Sequence, residues 1–123
     1  MKLLIVDDSN LIRTRIASVV QTTQMKGVSI VGLARNGHEA LRIARDARPD
    51  VVTMDLTMPE MDGVATIREL MRLPAPPHIL VVSALNDKST AITALRLGAR
   101  GFLNKPFTDD ELRLALLDVC SPT

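Results

Sequence analysis

The chain has 123 residues, 46% of them hydrophobic and 24% charged, which suits one folded globular domain spanning 1–123, is too short for two, and excludes a disordered chain. The formal net charge is +1, and the basic residues are scattered, so neither a nucleic-acid stripe nor a polybasic membrane patch is indicated. A lone cysteine, Cys120, excludes an internal disulfide and a cysteine metal cluster, and no apolar run reaches the ~18 residues a membrane span requires, so a cytoplasmic protein is expected, with no membrane insertion and no direct nucleic-acid partner.

Leu3 to Val6 read as a buried strand. Asp7-Asp8-Ser9 then supply the cap of a helix whose Ile12, Ile16, Val19 and Val20 share one face, and Gly27 closes that unit. Val28 to Leu33 form a second strand, followed by Asn36 as a cap and an amphipathic helix through Ala40, Leu41 and Ala44, with Pro49 ending the connection. Val51 to Met54 make a third strand that ends on Asp55, and turn formers follow at once. Pro59 blocks further sheet pairing, and Asp62 caps a helix over Gly63 to Met71. After the stiff return of Pro74, Pro76 and Pro77, Ile79 to Val82 form a fourth strand ending at Ser83. A helix from about Lys88 to Leu97 is stopped by Gly98. Gly101 to Asn104 make a fifth strand, and Thr108 caps a last helix with Leu112, Leu116 and Val119 facing inward, the chain stopping at Pro122-Thr123.

Five strands alternating with five helices imply right-handed crossovers and a parallel sheet covered on both faces, a doubly wound α/β domain. Periodicity leaves the strand order open. It does place every polar oddity at a strand's carboxyl end: Asp7-Asp8 after the first, Asp55 after the third, Ser83 after the fourth and Lys105 after the fifth. That is the edge on which open α/β sheets carry their ligands. Carboxylates crowded there repel by ~1 to 4 kcal/mol per close pair, a cost that a divalent cation removes. Oxygen ligands without paired His or Cys indicate a hard ion, magnesium where a phosphate completes the shell. A nucleophilic carboxylate, a metal, a lysine and a hydroxyl together are the kit for phosphoryl transfer to aspartate. Taken singly, each residue has an ordinary explanation as a cap, a loop hydroxyl or a strand exit; their joint placement at the ends of four strands is what argues for chemistry.

On Asp7-Asp8, Asp55 with Met58-Pro59 and Asp62-Gly63, Ser83-Ala84, Phe102 and Lys105-Pro106, the chain resembles the response-regulator receiver domains of two-component signalling. In layout it is nearest the stand-alone chemotaxis regulators, and the resemblance covers essentially the whole chain. It implies the flavodoxin-like (βα)5 fold with strand order 2-1-3-4-5. It implies that Asp55 accepts a phosphoryl group from a sensor histidine kinase or a histidine phosphotransfer protein. Magnesium would be held by Asp8 and Asp55 directly, by Asp7 through water, and by the Thr57 backbone carbonyl. Lys105 would hold the phosphoryl oxygens, Ser83 would swing inward to them, and Phe102 would turn from exposed to buried. The family often has a cis peptide at the position of Lys105-Pro106. Thr57 and Leu85 stand where receivers vary, and Phe102 replaces the Tyr of some chemotaxis members. The protein would be a signalling switch whose only catalysis is its own phosphoryl transfer and slow dephosphorylation. Its output partner would dock on the face of the fourth helix, fifth strand and fifth helix, where the last helix leaves Leu114 and Leu117 opposite its buried stripe.

Two other functions fit parts of the pattern. An aspartate-nucleophile phosphatase of the haloacid-dehalogenase type needs a second Asp two residues after the first, where Thr57 stands, and a cap domain. A receiver-like scaffold that is never phosphorylated sits badly with an intact set of Asp7, Asp8, Asp55, Ser83 and Lys105. His38 and His78 lack companion ligands, and the six methionines read as packing residues.

Overall fold

In the computed structural model, residues 1–23, 25, 27–58, 60–84 and 88–120 are described. Pro59, Leu85 and the terminal Pro122-Thr123 lie outside the described residues. The elements alternate without exception: β1 (Lys2–Val6), α1 (Asn10–Thr22), β2 (Ser29–Ala34), α2 (Gly37–Ala47), β3 (Val51–Met54), α3 (Gly63–Leu70), β4 (His78–Ser83), α4 (Lys88–Leu97), β5 (Gly101–Asn104) and α5 (Asp109–Cys120). All four strand pairings are parallel, in the order β2-β1-β3-β4-β5. Among the described residues no helix is long and apolar enough to cross a membrane.

Local chemistry sets the helix starts. The side chains of Ser9, Asn36 and Asp62 accept the backbone N–H of Ile12, Glu39 and Ala65, supplying partners for donors that the first turn leaves free. Thr108 and Glu111 cap reciprocally: the Thr108 hydroxyl accepts the Glu111 N–H at 3.1 Å, and the Glu111 carboxylate accepts the Thr108 N–H at 2.9 Å. The second strand runs one residue later than expected, because Ala34, fully buried, pairs with Val6 while Val28 closes a turn onto the Met25 carbonyl. A bulge at Val31 shifts its register, Leu3 facing Ile30 but Leu4 facing Gly32. Likewise β4 starts at His78, and α3 gives way at Met71, which caps it.

The sheet divides the core in two. On one side Leu4, Val6, Val52, Met54, Ile79 and Val81 pack under α2, α3 and α4; on the other Leu3, Ile5, Val51, Leu80 and Val82 pack under α1 and α5. Strands β1 and β3 are thus buried on both faces, which explains why their sequence, Thr53 apart, reads as apolar runs rather than alternation.

Gly63 is fixed by close approach. A Cβ there would stand 2.3 Å from the Asp55 carbonyl oxygen and 2.6 Å from the Leu56 Cα, both backbone atoms that cannot swing aside. Gly63→Ala is therefore expected to lower stability by about 1–3 kcal/mol through overpacking, read as a drop in the chemical denaturation midpoint; an unchanged midpoint would show that α3 can slide outward freely.

Candidate functional site

The strand register builds the site. Val6 pairs with Met54 and Ser83 with Asn104, so Asp7 and Asp55, each one residue beyond its strand, emerge side by side, and Lys105 emerges next to Ser83. Backbone bonds carry the ladders one step further: Asp7 N–H to Ala34 O, Asp55 N–H to Val6 O and Lys105 N–H to Ser83 O, at 3.0 to 3.1 Å. The crevice floor is therefore as rigid as the sheet.

The structure brings the expected residues together. Carboxylate oxygens of Asp7, Asp8 and Asp55 lie within 4.8 Å of one another. Asp7 is 1% exposed and Asp55 4%, whereas Asp8 is exposed at the rim. Lys105 Nζ donates to Asp7 Oδ2 at 2.7 Å and stands 3.6 Å from Asp55 Oδ1. The Ser83 hydroxyl, itself buried, lies 3.5 Å from the same Asp55 oxygen, already on the carboxylate's side of the loop. The Thr57 N–H donates to Asp55 Oδ1 at 3.3 Å and the Ser9 N–H to Asp7 Oδ1 at 2.9 Å. Lys105-Pro106 is a cis peptide. Phe102 is half-buried against the α2–α4 side of the core, and Ala84 is exposed.

Two arginines of α1 escaped the sequence reading. Arg13 is 8% exposed, and its Nη1 donates to the Asp7 backbone carbonyl at 2.6 Å, its Nη2 to Asn10 Oδ1 at 3.3 Å. Arg15 donates to the Phe107 carbonyl, pairs with Asp109 at 3.4 Å, and lays its guanidinium 4.6 Å over the Phe107 ring, bracing the loop that carries Lys105. Arg13 was detectable: it falls three residues before Ile16 and seven before Val20, on the stripe the helix buries.

Burial pushes the Asp55 carboxyl up to about 6 from 3.8; the Asp7 charge adds to the rise, Lys105 and the Thr57 N–H oppose it, and the Asp8 charge adds a little more. The group is thus ionised at neutral pH but at a cost. Because the folded value lies above the unfolded one, the fold is favoured most below pH 3.8 and loses this contribution as pH rises toward 6. At full ionisation the penalty is about 3 kcal/mol. In chelator-treated protein, Asp55→Asn should therefore raise stability by up to about 3 kcal/mol at pH 7.5, with the gain shrinking as pH falls through 6. Denaturation curves at both ends of that window check this, and a gain independent of pH would contradict it.

The donor set suits a hard divalent ion: among the described residues three carboxylates converge, and no His or Cys joins the cluster. Electrostatics point the same way, since the carboxylates together outnumber the single lysine facing them.

The chain is similar to known proteins. A family model described as the response regulator receiver domain matches residues 3–117. The chain is 36% identical over 115 residues to the chemotaxis protein CheY of Thermotoga maritima, covering 94% of this chain and 93% of that one. It is 41% identical over 110 residues to a protein-glutamate methylesterase/protein-glutamine glutaminase of Alkalilimnicola ehrlichii, covering 89% of this chain but 28% of that longer protein. Among solved structures it resembles a chain of the CheX-CheY-BeF3-Mg2+ complex from Borrelia burgdorferi, with TM-score 0.90 and 27% identity over 98% of this chain and 90% of that one. It also resembles CheY4 of Vibrio cholerae, with TM-score 0.87 and 31% identity over 96% and 97%.

Proposed function

The chain belongs to the response regulator receiver domains, similar to the CheY chemotaxis proteins, and we propose that it is the phosphoacceptor switch of a two-component phosphorelay, with Asp55 as the residue phosphorylated. One observation carries the reading: a buried carboxylate has a lysine ammonium at 3.6 Å and a serine hydroxyl at 3.5 Å, at the convergence of four strand ends.

In the transfer, an Asp55 oxygen attacks the phosphorus of a phosphohistidine on a sensor kinase or phosphotransfer protein. The P–N bond breaks, and its electron pair stays on the imidazole nitrogen, which takes a proton. Burial serves this step by leaving the nucleophile poorly solvated while still ionised above pH 6. Lys105, now bonded to Asp7, is near enough to exchange that partner for the incoming phosphoryl oxygens, and Ser83 offers them a second donor. Magnesium held by Asp7, Asp8, Asp55 and the Thr57 carbonyl would supply neutralisation of the carboxylates and of the charge on the phosphoryl group. The only reactions catalysed are the chain's own phosphorylation and its slow hydrolysis.

Acetyl phosphate with magnesium, read by intact mass, tests the assignment. Lasting addition of one phosphoryl group that Asp55→Asn abolishes supports a receiver. Rapid turnover of many phosphate esters would instead indicate a haloacid-dehalogenase-like phosphatase, and no reaction a scaffold. Asp8→Ala should weaken magnesium binding while raising the melting temperature of the metal-free protein, because one of three crowded charges is gone. Equal magnesium stabilisation of wild type and variant would place the metal elsewhere.

The output surface is the α4-β5-α5 face. In support, α4 exposes Ile92 and Leu95, α5 exposes Leu114 and Leu117, and Ser83 and Phe102 lie on the adjacent paired strands β4 and β5. On forming the beryllofluoride complex, amide shift changes should spread from Asp55 through Ser83 to Phe102 and α4. Changes confined to the neighbours of Asp55 would show that this face does not switch.

A further inference from the structure

Arg13 stands where α1 has no packing reason to put a charge. Its companions on the buried face are Ile16, Val19 and Val20, and among the described residues no carboxylate pairs with it. A buried guanidinium without an ion-pair partner costs free energy that its aliphatic stem does not return, and five N–H donors demand acceptors. Its short bond is to the Asp7 carbonyl, the oxygen of the peptide joining Asp7 to Asp8. Asn10, in the first turn of α1, takes a second N–H, so the fork is held in plane from the helix side.

The two acids joined by that peptide are held very differently. The Asp7 carboxylate is gripped at both oxygens, by the Ser9 N–H and by Lys105. The Asp8 carboxylate is exposed, and no hydrogen bond or ion pair among the described residues holds it. The point from which it starts is set by the peptide that precedes it, the group whose carbonyl Arg13 bonds. We propose that Arg13 is a positioning residue for the metal site: its guanidinium fixes the Asp7–Asp8 peptide and so aims the Asp8 carboxylate at the point where Asp7 and Asp55 converge. This rests on the reading of the three acids as a magnesium site.

Charge and geometry make opposite demands, which gives the test its sign. Were Arg13 only a nearby positive charge, its removal would tighten binding of a cation. As a positioning residue, its loss must loosen that binding, by roughly 10-fold for Arg13→Met, whereas a packing role alone would leave it within about twofold of wild type. Arg13→Lys, which can reach the Asp7 carbonyl but cannot also bridge to Asn10, should fall between and serves if the Met variant does not fold. Magnesium titration by calorimetry, well below each melting temperature, supplies the affinities. In the metal-free proteins, hydrogen exchange at the Ser9 amide should accelerate while amides of β3 and β4 stay protected. At saturating magnesium, labelling by acetyl phosphate should regain the wild-type rate, because the nucleophile is untouched. Magnesium affinity that is unchanged or tighter in both variants overturns the proposal. A wild-type protein that binds no magnesium overturns the metal reading, and the proposal with it.

Discussion

Holding three carboxylates within 4.8 Å of one another is the condition under which every other part of the molecule operates. Two of them are almost wholly buried, and one, Asp55, is ionised at a penalty of about 3 kcal/mol. That penalty is a sizeable share of the 5–15 kcal/mol by which domains are ordinarily stable. The central strands offset it: Leu3 to Val6 and Val51 to Met54 are buried on both faces, and each fully buried aliphatic side chain contributes about 1.5–3 kcal/mol. Because those strands are also hydrogen-bonded in register up to Asp7 and Asp55, the backbones that bear these two acids cannot move apart without breaking the ladder. The repulsion between Asp7 and Asp55 is stored in a rigid frame, and the cation of the proposed function would meet a site already shaped for it.

The ion pair of Lys105 with Asp7 moderates this crowding. It is the shorter of the two lysine contacts, so the lysine neutralises the deepest acid and leaves Asp55 only partly compensated. Both ends of the pair are braced from α1: Arg13 bonds the Asp7 carbonyl, and Arg15 bonds the carbonyl of Phe107, two residues beyond Lys105. One helix therefore sets the separation of two groups that lie 98 positions apart in sequence.

The elements and the acids were legible because they rest on local signals. Caps at Ser9, Asn36, Asp62 and Thr108, and apolar runs broken by turn formers, fix element type with no knowledge of the tertiary fold. Asp55 stood out because a charge ended a run that is otherwise apolar. What stayed hidden depends on neighbours across the sheet. The strand order came from resemblance, since parallel strands carry no pairing signal in their composition. The one-residue shift of β2 follows from Ala34 meeting Val6, a contact between distant segments. The burial of Arg13 could be read from its place on the α1 stripe, but its acceptor and the role of Arg15 could not: an arginine's partners, here the carbonyls of Asp7 and Phe107, appear only once distant segments are placed beside it.

The helices are unequally secured, and the inequality lies where the proposed switch would need it. Helix α5 buries Leu112, Leu116 and Val119, and α1 buries Ile16, Val19 and Val20, so the side that braces Lys105 and Asp7 is anchored. Helix α4 buries Ala94 alone and leaves Ile92 and Leu95 in solvent. A helix with so little apolar area against the sheet is displaced at lower free-energy cost than its neighbours. It also follows Ser83 in the chain, whose hydroxyl lies 3.5 Å from Asp55. Converting a minor arrangement of that helix into the dominant one takes about 5.5 kcal/mol of differential interaction. Under the proposed function, new bonds from Ser83 and Lys105 to a phosphoryl group, at roughly 1.5–3 kcal/mol for each hydrogen bond to a charged group, and partner contacts on the exposed α4 side chains would be of the size required. Neither source alone needs to be large, so the site can remain rigid while the helix beside it moves.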